Sequence, residues 1–250
     1  MDLKDKVIVI TGGVRDIGRE ISLKLARSGA RLGINYFDNP EDGEETLRQV
    51  RELGAGAILV QGDMTREEDA LKLVEETCKA FGDKVNGLVN VAGGLVARKT
   101  LEEIDVEFWD FLFDVNAKTT LLCSKAAVPK MTEGGSIVNF SSQAALDGGG
   151  PGASVYAASK GAVTTFTRAM AKELGPKNIR VNAVCPGMIA TSFHDRFTKD
   201  EVREKVAAGT PLRREGEAAE VADLVAYLLS DESTFVTGTN IDINGGLFFS

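Results

Sequence analysis

Histidine is almost missing from this chain: His194 is the only one among 250 residues. That scarcity excludes metal centres and acid–base triads built on imidazole, and no metal ligand set is expected. Cysteine is scarce as well. Cys78, Cys123 and Cys185 are odd in number and widely spaced, which suits buried thiols in a reducing cytoplasm rather than a disulfide framework. No apolar run approaches the roughly 18 residues of a membrane span. Charges interrupt the opening MDLKDKVIVITGG, where a secretory leader would be apolar. Positive charge is also in deficit, with 29 Lys and Arg against 37 Asp and Glu for a net charge of −8. That balance argues against nucleic acid as a partner, because phosphate backbones need basic patches. What remains is an ordinary globular composition, 43% apolar and 26% charged.

Short β-branched runs alternate with helical patterns almost from end to end. The runs are KVIVI (6–10), RLGINY (31–36), AILV (57–60), GLVNV (87–91), SIVNF (136–140), IRVNAV (179–184) and NIDI (240–243). Between them lie amphipathic stretches such as IGREISLKLARSG, DALKLVEETCKAFG and EVADLVAYLLSDE. Strands of near-continuous hydrophobicity separated by helices predict an α/β fold: one doubly wound, Rossmann-type parallel sheet of about seven strands with helices on both faces. No linker or repeat divides the chain, so residues 1–250 are expected to form one domain. Ligands of such sheets bind beyond the C-terminal strand ends, and functional residues should gather there.

TGGVRDIG (11–18) follows the first strand and opens a helix, which is the context a dinucleotide loop requires. Gly12 and Gly13 permit close backbone approach, and the helix N-terminus supplies oriented N–H donors. The glycines fall at 12, 13 and 18 rather than in G-x-G-x-x-G, so a tight turn capped by Asp16 is an equal reading of the segment alone. A second segment, FSSQAALDGGGPGASVYAASK, shifts the balance. Ser141 and Ser142 end a strand, while Tyr156 and Lys160 share one helix face at i and i+4. A free phenol titrates near 10 and must drop by roughly 2–3 units to exchange protons near neutrality. A nearby ammonium favours the phenolate, and a serine hydroxyl can orient a substrate oxygen without adding charge. These residues form a candidate acid–base site.

Over about residues 4–246 the chain resembles the short-chain dehydrogenase/reductase family. The matching pieces are the Gly-rich loop, GDM (62–64), NVAG (90–93), Asn116 in FDVNAK, Ser142, YAASK (156–160), NAVCPG (182–187) and TGTNIDINGG (237–246). The resemblance implies that Tyr156 exchanges the proton, that Lys160 holds the nicotinamide ribose and lowers the pKa of Tyr156, that Ser142 binds the reacting oxygen, and that Asn116 supports a water relay to Lys160. It also implies a cofactor groove. Gly12, Val14, Arg15, Asp16, Ile17 and Gly18 would line its phosphate loop, and Tyr36, Phe37, Asp63 and Met64 its adenosine end. Asn90, Ala92 and Gly93 would lie by the ribose, with Pro186, Gly187, Ile189 and Thr191 along the nicotinamide. Two departures stand out: Asp16 replaces a usual glycine, and the serine-to-tyrosine spacing is one residue longer, with Gly148–Gly150 absorbing the extra residue.

Cofactor signals conflict. Tyr36 stands where NAD-preferring relatives usually carry an acid, Arg15 could pair with a 2′-phosphate, and Asp38 would repel one. Arg15 tips the expectation to NADP(H) over NAD(H). The segments expected to shape the substrate pocket carry Val96, Arg98, Gln143, Phe193, His194 and Arg196. Their mix suits a small polar carbonyl or alcohol such as a 3-oxoacyl thioester, sugar or keto acid. A homotetramer is implied by the resemblance, and FWDFLFDVNAKTTLLCSKAAV is apolar on more than one face, as such contacts require. The alternative reading is a non-catalytic nicotinamide-nucleotide sensor or scaffold, supported by Asp16 and opposed by the Ser142–Tyr156–Lys160–Asn116 set.

Overall fold

A computed structural model describes residues 1–192 and 197–250. Seven parallel strands form one sheet in the order β3-β2-β1-β4-β5-β6-β9. They are β1 (Val7–Thr11), β2 (Arg31–Tyr36), β3 (Ala57–Gln61), β4 (Val85–Asn90), β5 (Met131–Phe140), β6 (Arg180–Pro186) and β9 (Asn240–Ile243). All five residues of β1 are buried, because helices cover both sheet faces. On one face α1 (Asp16–Arg27), α2 (Pro40–Glu52) and α9 (Ala218–Leu229) contribute Ile21, Leu25, Val50, Val221, Val225 and Leu228 to a single core. On the other, α3 (Glu67–Phe81), α5 (Thr119–Ala127) and α7 (Ser154–Leu174) contribute Leu73, Val74, Cys123, Ala127, Met170 and Leu174. Each fully buried aliphatic side chain stabilises the fold by roughly 1.5–3 kcal/mol. The three cysteines are free and buried. Among the described residues no helix is long and apolar enough to cross a membrane.

The expected strands and doubly wound sheet are borne out, with differences at the edges. The apolar stretch at 108–128 is not one helix: α4 (Val106–Phe113) passes through a π-turn at Asp114–Lys118 before α5 begins. Asn116 Nδ2 donates to Leu112 O at 2.9 Å, and the Thr119 and Thr120 hydroxyls donate to the carbonyls of Val115 and Asn116. Side chains that compete for helical carbonyls in this way bend the ladder. A second sheet pairs β7 (Ile189–Ala190) with β8 (Gly216–Glu217). Two-residue strands carry no readable periodicity, and the sequence pattern does not show them.

β1 hydrogen-bonds to β2 on one side and β4 on the other, so the chain leaves it in opposite directions and opens a crevice at its C-terminal end. The closing residues are Gly12 and Ala92: a Cβ on Gly12 (φ +61) would sit 3.3 Å from Ala92 Cα.

Candidate active site

The crevice widens into a cavity of about 1120 Å³ that runs from Tyr36, Phe37 and Asp63 to Ser142, Tyr156 and Lys160. That volume exceeds the 300–1,000 Å³ or so typical of one small-molecule pocket.

Its floor is the loop after β1. Asn35, buried in β2, pins the loop: Gly12 N donates to its Oδ1 at 3.1 Å, and its Nδ2 donates to Tyr36 O and Gly62 O at 3.0 Å each. Ser22 Oγ donates to Gly13 O at 2.7 Å. A Cβ on Gly18 would lie 2.1 Å from Gly12 O, so the first turn of α1 sits directly against the loop backbone. The residue before α1, Arg15, is extended and makes no side-chain cap. The partial positive charge of this helix end therefore faces the cavity wall uncapped, as anion binding requires. A glycine cradle, an uncapped helix end and an elongated cavity fit the pyrophosphate and two nucleosides of a nicotinamide dinucleotide.

Asp16 corrects one sequence expectation. It neither caps α1 nor pairs with a cation among the described residues. Its backbone is left-handed at φ +49, a conformation Asp tolerates better than most residues, and its carboxylate accepts from Ser192 N at 2.9 Å and Ser192 Oγ at 2.6 Å. Arg15 is exposed beside it and forms no ion pair among the described residues.

At the far end, β5 delivers Ser141 and Ser142, and α7 delivers Tyr156 and Lys160. Ser142 Oγ accepts from Ala144 N at 3.2 Å, and Ser142 and Tyr156 share a side-chain hydrogen bond. Lys160 Nζ donates to Phe140 O at 2.7 Å and lies 5.9 Å from the Tyr156 ring centroid. Ser141 does not line up with the reacting groups. Its hydroxyl donates to Lys160 O at 3.1 Å and shares a bond with Thr164, which anchors α7 to β5. Burial pushes the Tyr156 phenol above its ordinary value, opposed in part by the Ser142 hydrogen bond, and burial pushes Lys160 down to about 8. The expectation that the ammonium lowers the phenol is thus outweighed here by desolvation of both groups.

Every expected cofactor residue lines this cavity except Asn90, and the catalytic set lines it except Asn116. Both exceptions lie behind the cavity wall. Asn90 Nδ2 donates to Asn139 Oδ1 at 2.9 Å and to Ser124 Oγ at 3.3 Å, so its side chain joins a buried polar network under the sheet end. Asn116 is fully buried behind the turn after β4. Its Oδ1 accepts from Gly94 N at 2.9 Å, and its Nδ2 donates to Gly94 O at 3.0 Å. It grips that turn. Gly93 (φ +147) separates the two, because a Cβ there would lie 2.6 Å from Asn116 Oδ1 and 3.3 Å from Lys160 Nζ.

On the substrate side, Arg98 Nη1 donates to Pro151 O at 2.9 Å and its Nε to Phe197 O at 3.3 Å. Gln143 Nε2 donates to Asp147 Oδ2 at 2.8 Å, while its Oε1 is buried with no hydrogen-bond partner among the described residues. Phe193, His194 and Arg196 lie outside the described residues. Asn35 and Ser192 escaped the sequence reading. The only signal for Asn35 is a polar residue inside the otherwise apolar run RLGINY, and Ser192 carries none.

A parallel sheet with a glycine loop shaped for a dinucleotide at its switch point and a Ser–Tyr–Lys cluster at the far end of the same cavity fits a nucleotide-dependent oxidoreductase. The profile of the family described as enoyl-(acyl carrier protein) reductase matches residues 12–248. Versicolorin reductase 1 of Aspergillus parasiticus is 36% identical over 257 residues, covering 98% of this chain and 97% of that protein. Among solved structures, a short-chain dehydrogenase from Burkholderia cenocepacia in complex with NADP superposes with a TM-score of 0.93 at 32% identity, over 99% of each chain. The NADH-dependent reductase A1-R′, responsible for alginate metabolism, superposes with a TM-score of 0.89 at 32% identity, also over 99% of each. The chain belongs to the short-chain dehydrogenase/reductase family, and it is an NAD(P)-dependent oxidoreductase acting on CH–OH groups.

Proposed function

We propose that the enzyme interconverts a small polar carbonyl compound and its secondary alcohol, with Tyr156 as general acid and base. The observation that carries this reading is the convergence of Ser142, Tyr156 and Lys160 on one end of a cavity whose other end is lined by the glycine loop after β1. A reduced nicotinamide bound along Pro186, Gly187, Ile189 and Thr191 would supply the hydride. Ser142 Oγ–H donates to the carbonyl oxygen and orients it. As negative charge grows on that oxygen, the Tyr156 hydroxyl protonates it; in oxidation the same phenolate takes the proton back. Lys160, held by Phe140 O, places its ammonium next to the phenol and stabilises the phenolate left after transfer. Asn116 holds the Gly93–Gly94 turn that separates it from Lys160, and so preserves the room for that ammonium. The whole chain acts as one dinucleotide-binding and catalytic unit, in the cytoplasm. A non-catalytic sensor would not need the Ser142–Tyr156 hydrogen bond at the cavity wall.

The described walls of the substrate end are more apolar than the sequence suggests, with Leu95, Val96, Ala144, Met188, Val202 and Leu247 around Gln143 and Arg98. A carbonyl compound with a short apolar body and one polar end suits them, as in a 3-oxoacyl thioester or a keto acid, while a sugar derivative would rely on Gln143 and Arg98. Loss of reduced-nicotinamide absorbance with a panel of aldehydes, oxoesters and sugar acids tests the assignment. Nucleotide binding with no turnover on any member would favour the sensor instead.

NADP(H) is the proposed cofactor ahead of NAD(H). Arg15, exposed in the cradle loop and without an ion-pair partner among the described residues, could meet a 2′-phosphate, while Asp38 opposes it. Arg15→Ala should raise the KM for NADPH at least tenfold more than that for NADH, since a charge-assisted hydrogen bond contributes about 1.5–3 kcal/mol. Equal rises for the two cofactors in initial-rate assays would remove the basis for the preference.

Reduction should also lose rate as pH rises through about 8, where Lys160 gives up its proton. Its depressed value means the ammonium is present below that pH and lost above it, so the pH–rate profile bends downward on the alkaline side. A profile flat to pH 10 at saturating cofactor would show that the ammonium is not required. The exposed apolar residues Val106, Trp109, Phe111 and Leu121 on α4 and α5 support a homotetramer built on this face.

A further inference from the structure

Asp16 places a carboxylate in a loop that is otherwise shaped for phosphate. Two unit charges about 6 Å apart repel by roughly 2–3 kcal/mol at an effective dielectric near 20, so a bare carboxylate here would weaken nucleotide binding severely. The carboxylate is not bare. It takes both donors of one residue 176 positions along the chain, Ser192 N at 2.9 Å and Ser192 Oγ at 2.6 Å. Ser192 lies just past β7, and Asp16, Thr191 and Ser192 all line the cavity. The contact therefore joins two walls of the groove that no strand connects: the phosphate cradle on α1 and the segment that continues from Pro186–Gly187. Apart from this contact, the Asp16 side chain has no hydrogen bond or ion pair among the described residues, and α1 does not use it as a cap. Its left-handed backbone aims it this way without distorting the turn, since φ is +49 where a glycine would also sit comfortably.

We infer that Asp16 is a positioning residue that acts through Ser192: it holds the Thr191–Ser192 turn against the phosphate cradle, so that this wall of the groove is organised before a nicotinamide dinucleotide arrives. The inference rests on the reading of the cavity as a dinucleotide site. The carboxylate makes two opposing contributions to nucleotide affinity. Its hydrogen bonds organise the wall and favour binding; its charge opposes the phosphates. Substitutions separate the two. Asparagine keeps a hydrogen-bonding group toward Ser192 and removes the charge, whereas glycine removes both.

Dissociation constants for NADPH and NADH, measured by fluorescence titration of wild type, Asp16→Asn, Asp16→Gly and each combined with Ser192→Ala, test this. Asp16→Gly should differ from wild type by less than tenfold, because two opposing effects vanish together. Asp16→Asn should bind about tenfold more tightly than Asp16→Gly, the worth of a well-made hydrogen bond. Adding Ser192→Ala, which removes the hydroxyl donor and keeps the N–H, should cut that advantage to about threefold and leave Asp16→Gly unchanged. Asp16→Gly binding as tightly as Asp16→Asn, or Ser192→Ala acting equally in both backgrounds, would overturn the inference. Amide exchange over residues 187–192 in the protein alone gives a readout independent of nucleotide. The Ser192 N–H should be protected in wild type and Asp16→Asn and exchange about tenfold faster in Asp16→Gly. Equal exchange in all three would sink the clasp whether or not the groove takes a nucleotide. Protected exchange with no nucleotide binding by any protein would instead refute the cofactor reading.

Discussion

Tyr156→Phe should lower kcat for carbonyl reduction by about 10²–10⁴-fold, the range general acid catalysis supplies, while nucleotide affinity stays within about threefold of wild type. The substitution removes one oxygen from a ring whose position is already set by α7. The helix carries Tyr156 and Lys160 on one face and is anchored to β5 by Ser141 Oγ to Lys160 O and by Lys160 Nζ to Phe140 O. Neither contact involves the phenol oxygen, so Lys160 and the groove should remain in place. The Ser142 hydroxyl loses its phenolic partner but keeps its bond from Ala144 N. The lost Ser142–Tyr156 hydrogen bond costs about 0.5–1.5 kcal/mol, so the two proteins are compared at a temperature well below the melting of either. Steady-state turnover with any active carbonyl of the panel, paired with a nucleotide titration, reads both quantities. Full activity in the variant would remove Tyr156 from the chemistry. An equal collapse of nucleotide affinity would make its role structural.

Gly18→Ala should abolish measurable nucleotide binding, a loss of roughly a hundredfold or more, and lower thermal stability. An alanine Cβ at this position would meet Gly12 O at 2.1 Å and Gly12 C at 3.0 Å. Both are backbone atoms of the cradle, and neither can rotate away as a side-chain tip could. Either α1 retreats from the sheet or the Gly12–Gly13 turn moves, and that turn is fastened by Asn35 and Ser22. Overpacking of this kind costs about 1–3 kcal/mol, which for a chain of this length lowers Tm by about 2–4 °C per kcal/mol. The cradle geometry suffers more than the fold, because phosphate contacts depend on the same backbone that must shift. Gly209→Ala is the matched control: nothing lies within 4 Å of a Cβ there, at the end of α8 (Asp200–Gly209). Nucleotide titration and melting of both variants test the difference. Tight binding by Gly18→Ala would show that the loop is not the phosphate cradle.

Much of this was legible in the residue pattern because it depends on local rules. Buried parallel strands must be apolar along their whole length, and the seven runs were found within a few residues. Tyr156 and Lys160 are spaced by one helical turn, so their shared face follows from helix geometry alone. Ser142 and the glycine loop lie at strand ends, where an α/β sheet presents its ligands. The family resemblance, and no local pattern, sets Asn90 by the ribose and Asn116 on the relay to Lys160. The direction of a side chain at a strand end is set by which partner it finds, and theirs are Asn139 and Ser124 for one, and Gly94 and Leu112 for the other.

By itself, then, the sequence determined the doubly wound sheet, the location of the cradle and the acid–base pair, since hydrophobic period, glycine position and i, i+4 spacing act within one or two elements. Tertiary structure decided what depends on distant segments meeting in space. Desolvation from both sides of the pocket sets the balance between Tyr156 and Lys160. Asn35 reaches from β2 to fasten the β1 loop. Asp16, which reads in the sequence as a helix cap, became a link to Ser192 because folding brings two residues 176 positions apart within 2.6 Å, a proximity no local pattern encodes.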